Sequence, residues 1–138
     1  MSDPAGLALQ GAIAAAVKGS PQAAAIQGMR IYDAVPDSVD FPYTAIGTIQ
    51  EIDDGAGCME EACEVYVTLH VWSRAVGKVE CQRLVAAVVA ALEGAELDLG
   101  AAWSLVELQV RSSEVFADVD GKTSHGVITL RALIDPAS

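Results

Sequence analysis

Residues Cys63 to Gly94 read CEVYVTLHVWSRAVGKVECQRLVAAVVAALEG, and the change of period inside this stretch decides the fold. Cys63, Val65, Val67, Leu69 and Val71 fall on one side of an extended chain, with Glu64, Tyr66, Thr68, His70 and Trp72 on the other. Such alternation predicts a strand with one buried face. After a polar break from Ser73 to Lys78, which contains Gly77, the period becomes helical. With Leu84 at zero on a wheel of about 100° per residue, Cys81, Val85, Val88 and Leu92 lie within an arc of about 100°. Gly94 follows the last apolar position, where a helix usually stops. A strand and a helix that each have one apolar face bury both by packing the helix back on the sheet.

On the N-terminal side, Tyr43 to Ile52 reads as a strand with Thr44, Ile46, Thr48, Gln50 and Ile52 on one face. Gly47 inside it predicts a bulge or a close backbone approach. Asp3 and Pro4 suit the start of a helix running to about Lys18, with Leu9, Ile13 and Val17 on one side. Ser20-Pro21 caps a second, short helix through about Ile26, closed by Gly28. Met29 to Val35 is a short extended piece. On the C-terminal side, a long strand from about Trp103 to Val115 puts Val106, Leu108 and Val110 on its apolar face. Asp118-Val119-Asp120-Gly121 is a hairpin turn signal. The last strand, about Thr123 to Ile134, carries Ile128, Leu130, Ala132 and Ile134 on one face, and Pro136 ends it. The order predicts one α+β domain over residues 1–138. Its mostly antiparallel sheet has about four to five strands, two main helices pack on one side, and the other face is wet.

Composition narrows the function. The chain has 138 residues, of which 52% are hydrophobic, so it has the means to bury a core. Nineteen acids against eight bases give a formal charge of −11. That excess argues against wrapping nucleic acid phosphates, which requires clustered Lys and Arg. An acidic wall instead repels a duplex and lets it slide. No run reaches the roughly 18 to 20 apolar residues of a membrane span. The opening MSDPAGLALQ lacks the basic region of a signal peptide, so the expectation is a soluble protein made in the cytoplasm. Three cysteines form no evident disulfide framework, which fits a reducing compartment.

Candidate chemistry is sparse. Cys58, Cys63, His70 and Cys81 lack the spacing of zinc knuckles. Cys63 and His70 are an odd number of residues apart in one strand, so they point to opposite faces. The same parity removes them as a nucleophile and base pair. Cys58 with His125 has no supporting pattern, and His125, just after a turn, is expected to be exposed. Glu51, Asp53, Asp54, Glu60, Glu61 and Glu64 form an acidic cluster that matches a calcium loop poorly. The glycines at 55 and 57 belong to no phosphate loop. No metal or cofactor and no catalytic residue is expected.

One ordered set of short pieces does point to a family. Tyr32-Asp33-Ala34-Val35-Pro36, then Phe41-Pro42-Tyr43 with Ile46-Gly47, then Leu69-His70-Val71-Trp72-Ser73-Arg74 with Gly77, then Asp120-Gly121 and His125-Gly126-Val127 resemble the tail terminators of long-tailed phages. These are also called tail-completion or tail-to-head joining proteins, with relatives in prophages and gene transfer agents. The resemblance spans about residues 4 to 134. It implies a structural virion protein at the head–tail junction, without catalytic residues. Such a protein forms a hexameric ring on the tail tube, meets the major tail tube protein and the head connector or stopper, and lets DNA pass through without binding it specifically. If so, the carboxylates of Asp53, Asp54, Glu60 and Glu61 are candidates to line the channel or a subunit interface; the other reading has them facing outward and serving solubility. The competing classes are a small cytoplasmic ligand-binding domain or enzyme of unknown substrate, and a plain acidic adaptor.

Overall fold

The computed structural model describes residues 3–52, 62–93 and 95–137. Three helices and five strands follow one another: α1 (Ala5–Lys18), α2 (Pro21–Gln27), β1 (Ile31–Tyr32), β2 (Tyr43–Ile52), β3 (Cys63–Ser73), α3 (Val79–Glu93), β4 (Trp103–Ala117) and β5 (Ser124–Pro136). The sheet order is β1-β2-β3-β5-β4. The two-residue β1 runs parallel to β2, and every other pair is antiparallel. The α+β class and the mostly antiparallel sheet are as the periodicity predicts.

The centre of the sheet is the β3–β5 ladder, which pairs without a break from Cys63↔Ile134 to Ser73↔Ser124. Burial alternates strictly along β3 and along β5 as far as Asp135. Val65, Val67, Leu69 and Val71 therefore meet Ala132, Leu130, Ile128 and Gly126 on the helix side. Over them lie Cys81, Leu84, Val85, Val88 and Leu92 of α3, all buried, which is the arc read from the sequence. Gly126 sets how closely α3 approaches: a Cβ there would stand 2.5 Å from Val85 Cγ2 and 3.3 Å from Val71 Cβ. Leu9, Ile13 and Val17 of α1 complete the core. Helix α1 begins one residue later than expected, and Pro4 precedes it without a side-chain cap. The carbonyl of Asp3 instead accepts the indole N–H of Trp103 at 2.8 Å. At α2 the reading holds, because Ser20 Oγ accepts the Ala23 N–H.

Two strands depart from their expected faces, and bulges are the reason. In β2 the register slips between Ile46 and Ile49, so one extra residue enters opposite β3. A Cβ on Gly47 would stand 2.8 Å from the His70 ring and 3.1 Å from the Thr68 carbonyl oxygen, so the backbones come close there. Beyond the bulge the parity inverts. Ile49, not Thr48, packs against the core, while Gln50 and Ile52 turn to the other face opposite Tyr66 and Glu64. In β4 the register slips twice, between Leu105 and Glu107 and between Val110 and Ser112. Val106 is extruded and 55% exposed, and Leu105, Leu108, Val110 and Val115 take the inward positions.

Candidate functional site

The helices leave the far face of the sheet open among the described residues. It is built from the alternate residues of β3 and β5, Tyr66, Thr68, His70 and Trp72 against Arg131, Thr129, Val127 and His125. β4 extends it with Glu107, Gln109, Ser112, Glu114 and Phe116. Two clusters organise this face. Toward one end, Arg131 Nε donates to Glu64 Oε2 at 3.0 Å and its guanidinium stands 3.6 Å from Glu107. Tyr66 donates its hydroxyl to the same Glu64 oxygen at 2.9 Å. The hydrogen bonds from Arg131 and then Tyr66 hold the Glu64 carboxyl below its ordinary range. These groups are solvent-facing, so the network orders side chains more than it stabilises the fold.

Toward the other end, His70 Nδ1 and His125 Nε2 share a hydrogen bond of 2.8 Å. Trp72 stacks on the His125 ring at 3.8 Å between centroids and 12° between planes. Phe116 closes the group at 4.9 Å. Burial pushes both histidines below the ordinary imidazole value; for His125 the neighbouring His70 adds to this, against Asp118 and Glu114. The expectation that His125 is exposed is therefore corrected. Alternation puts it on the open face, but the ladder seats it on Trp72, a cross-strand pairing that only the β3–β5 register reveals.

The cysteines do not converge on these histidines. Cys63 is buried on the helix side and is disulfide-bonded, which the odd count of three did not suggest. Cys81 is buried against Val71, its thiol pushed up to about 11 mainly by burial, so it is a core residue and not a nucleophile. Among the described residues no group of three or more His, Cys, Asp or Glu is arranged to hold a metal. Asp53, Asp54, Glu60, Glu61 and Cys58 lie outside the described residues. Ile52 ends β2 and Cys63 begins β3. No helix among the described residues is long and apolar enough to cross a membrane.

The opposite end of the sheet carries a cavity of about 500 Å³ between the 74–78 loop and the β4–β5 hairpin. Arg74, Lys78 and Lys122 line it. Ser124 Oγ donates to the Gly77 carbonyl at 3.1 Å and ties the two loops together. Gly77 and Gly121 shape them at φ 76° and 70°, values that favour glycine. Sequence patterning marked both segments as turns and could not bring them side by side.

Comparison with known proteins agrees with this geometry. The family model described as tail completion protein gp17 matches residues 11–135. No curated protein matches the chain. A chain in the virion of a native gene transfer agent particle superposes with a TM-score of 0.78 at 24% identity, over 91% of this chain and 93% of that one. The gp17 protein of bacteriophage SPP1 superposes with a TM-score of 0.63 at 24% identity, over 93% and 89%. The match over most of its length means that this chain belongs to the gp17 family of tail completion proteins, which are structural proteins and not enzymes.

Proposed function

We propose that this chain completes the tail as a hexameric ring. The ring caps the tail tube, stops its growth, and joins it to the head connector or stopper. DNA passes through the hole without specific binding. The observation that carries this reading is the family match over residues 11–135. The physical properties of the chain support it. A ring subunit needs surface that its own fold leaves uncovered, and here one whole sheet face is open among the described residues. A channel for a duplex carrying about one charge per 1.7 Å must not hold it, and a chain of formal charge −11 supplies repulsion. Its partners are then further copies of itself, the major tail tube protein and the connector; the work needs no cofactor and no membrane. The carboxylates of Asp53, Asp54, Glu60 and Glu61 are assigned to the channel wall or the subunit interface in this proposal.

The experiment is direct. Electron micrographs of the purified chain are expected to contain rings, and its mass in solution is expected to be six times the subunit. Particles made without it are expected to carry tails of uncontrolled length, unattached to heads. Normal, head-attached tails in its absence would overturn the proposal.

A further inference from the structure

The two ends of the sheet differ in charge. Where β3 begins and β5 ends stand Glu51, Glu64, Glu107 and Asp135, with Arg131 pairing Glu64 and Glu107, and the chain between α3 and β4 adds Glu96 and Asp98, so carboxylates remain in excess there. At the opposite end, Arg74, Lys78 and Lys122, three of the eight Lys and Arg of the chain, surround one cavity. Two carboxylates near this cavity, Asp120 and Glu80, are hydrogen-bonded within the chain. Asp120 accepts the N–H groups of Lys122 and Thr123 at 2.9 and 2.8 Å and the Thr123 hydroxyl at 2.7 Å. Glu80 accepts the Ser73 hydroxyl at 2.7 Å. Asp118 lies in the same hairpin as Lys122, and its charge favours the protonated form of His125. Arg74 lies over the Phe41 ring at 4.2 Å. Lys78 and Lys122 make no ion pair among the described residues, where the ion pairs belong to Arg131. The same two loops hold Val76 and Val119 fully in solvent, and Val79 beside them is 56% exposed. Apolar tips framing unpaired ammonium groups form a surface suited to being covered by an acidic protein.

We propose that the 74–78 loop and the 118–122 hairpin of one copy form a socket for the carboxylate-bearing end of a second copy, in a head-to-tail contact. The proposal rests on the ring reading above and names the surface by which subunits join. Charge complementarity selects the second copy as occupant. Each subunit carries −11 overall, so identical neighbours repel unless their contact sets cations against carboxylates, and the chain presents both at opposite ends. A head-to-tail contact uses a different patch on each side, and it closes into a ring when the rotation between copies allows it. Ammonium–carboxylate pairs at such a rim are screened by salt, whereas the covered valines are not.

The test uses the full chain and the variant Lys78→Glu/Lys122→Glu, both positions being exposed. Self-association is followed by mass in solution, and folding by melting temperature. The variant is expected to associate at least about tenfold more weakly with an unchanged melting temperature, while Lys78→Arg/Lys122→Arg associates like the parent. Mixed with the parent, the variant keeps its acidic end and is expected to cap growing chains, giving pieces shorter than rings. Parent association is expected to weaken as salt rises from about 0.1 to about 1 M, where the screening length falls from about 10 to about 3 Å. Rings that form equally well from the Glu variant, that ignore it in mixtures, or that ignore salt overturn the socket and leave the ring reading standing. The same holds if the variant assembles normally and loses only retention of duplex DNA or of another tail protein. A parent chain that stays monomeric at every concentration and salt overturns both.

Discussion

Thr44 and Gln27 are both buried, and they bond to each other: Thr44 Oγ1 donates to Gln27 Oε1 at 2.8 Å. Gln27 Nε2 has no partner among the described residues. Replacing Thr44 by Val keeps the shape and strips Gln27 of this bond, which is expected to cost about 1–3 kcal/mol by denaturant melting. Adding Gln27→Met should restore part of that loss, because no buried amide is then left unpaired. The histidine pair makes a second residue-scale prediction. Its hydrogen bond needs one ring nitrogen to accept, so it survives one proton on the pair and fails with two. Both histidines titrate below the unfolded value of about 6.5, chiefly through burial. The unfolded chain therefore binds more protons in this window. The contribution is complete above about pH 6.5 and is lost as pH falls through the lower folded values. Melting temperature between pH 7 and 5 is expected to fall less in a His125→Gln variant than in the parent. Identical pH slopes would remove the pair as a source of acid sensitivity.

At the scale of elements, α3 on β3–β5 holds the fold together. Val88 is fully buried at the centre of that contact. Val88→Asp places a carboxylate there without a partner and is expected to cost about 4 kcal/mol or more, enough to unfold the subunit. Retention of the parent melting temperature would contradict the packing. The edge strand β4 teaches the opposite lesson. A 15-residue edge invites pairing with another sheet, yet bulges extrude Val106 and Arg111 from its ladder. Such bulges twist an edge and interrupt the row of groups a partner strand would use. Subunit joining by strand addition is thereby disfavoured along β4, and contacts through the loops at the sheet ends gain by comparison.

For the molecule as a whole, charge is the variable that assembly must manage. The densest run of acids in the sequence lies between Glu51 and Glu64. If those carboxylates face the hole of the proposed ring, Asp53→Lys with Asp54→Lys should leave particles intact and lower DNA delivery, more so at low salt where screening is weak. Assembly and delivery have to be scored separately. Unchanged delivery from intact particles at low salt would mean that these side chains do not meet DNA.

Period alone determined the β3–α3 unit, the inward faces of β3, β5, α1 and α3, and the α+β class, because burial on one side of a regular element imprints itself on neighbouring residues. The parity of Cys63 and His70 likewise needed no coordinates. Gly47 announced the bulge in β2 through its missing side chain, but where the face inverts depends on the pairing with β3. The two bulges in β4 had no glycine to mark them and reversed the expected role of Val106. The tertiary structure also decided that His125 rests on Trp72 and pairs with His70, and that the 74–78 loop meets the 118–122 hairpin. These contacts join residues 47 to 55 positions apart along the chain. A local pattern reports which way a side chain faces; the partner across the sheet is chosen by strand order and register, which long-range pairing sets.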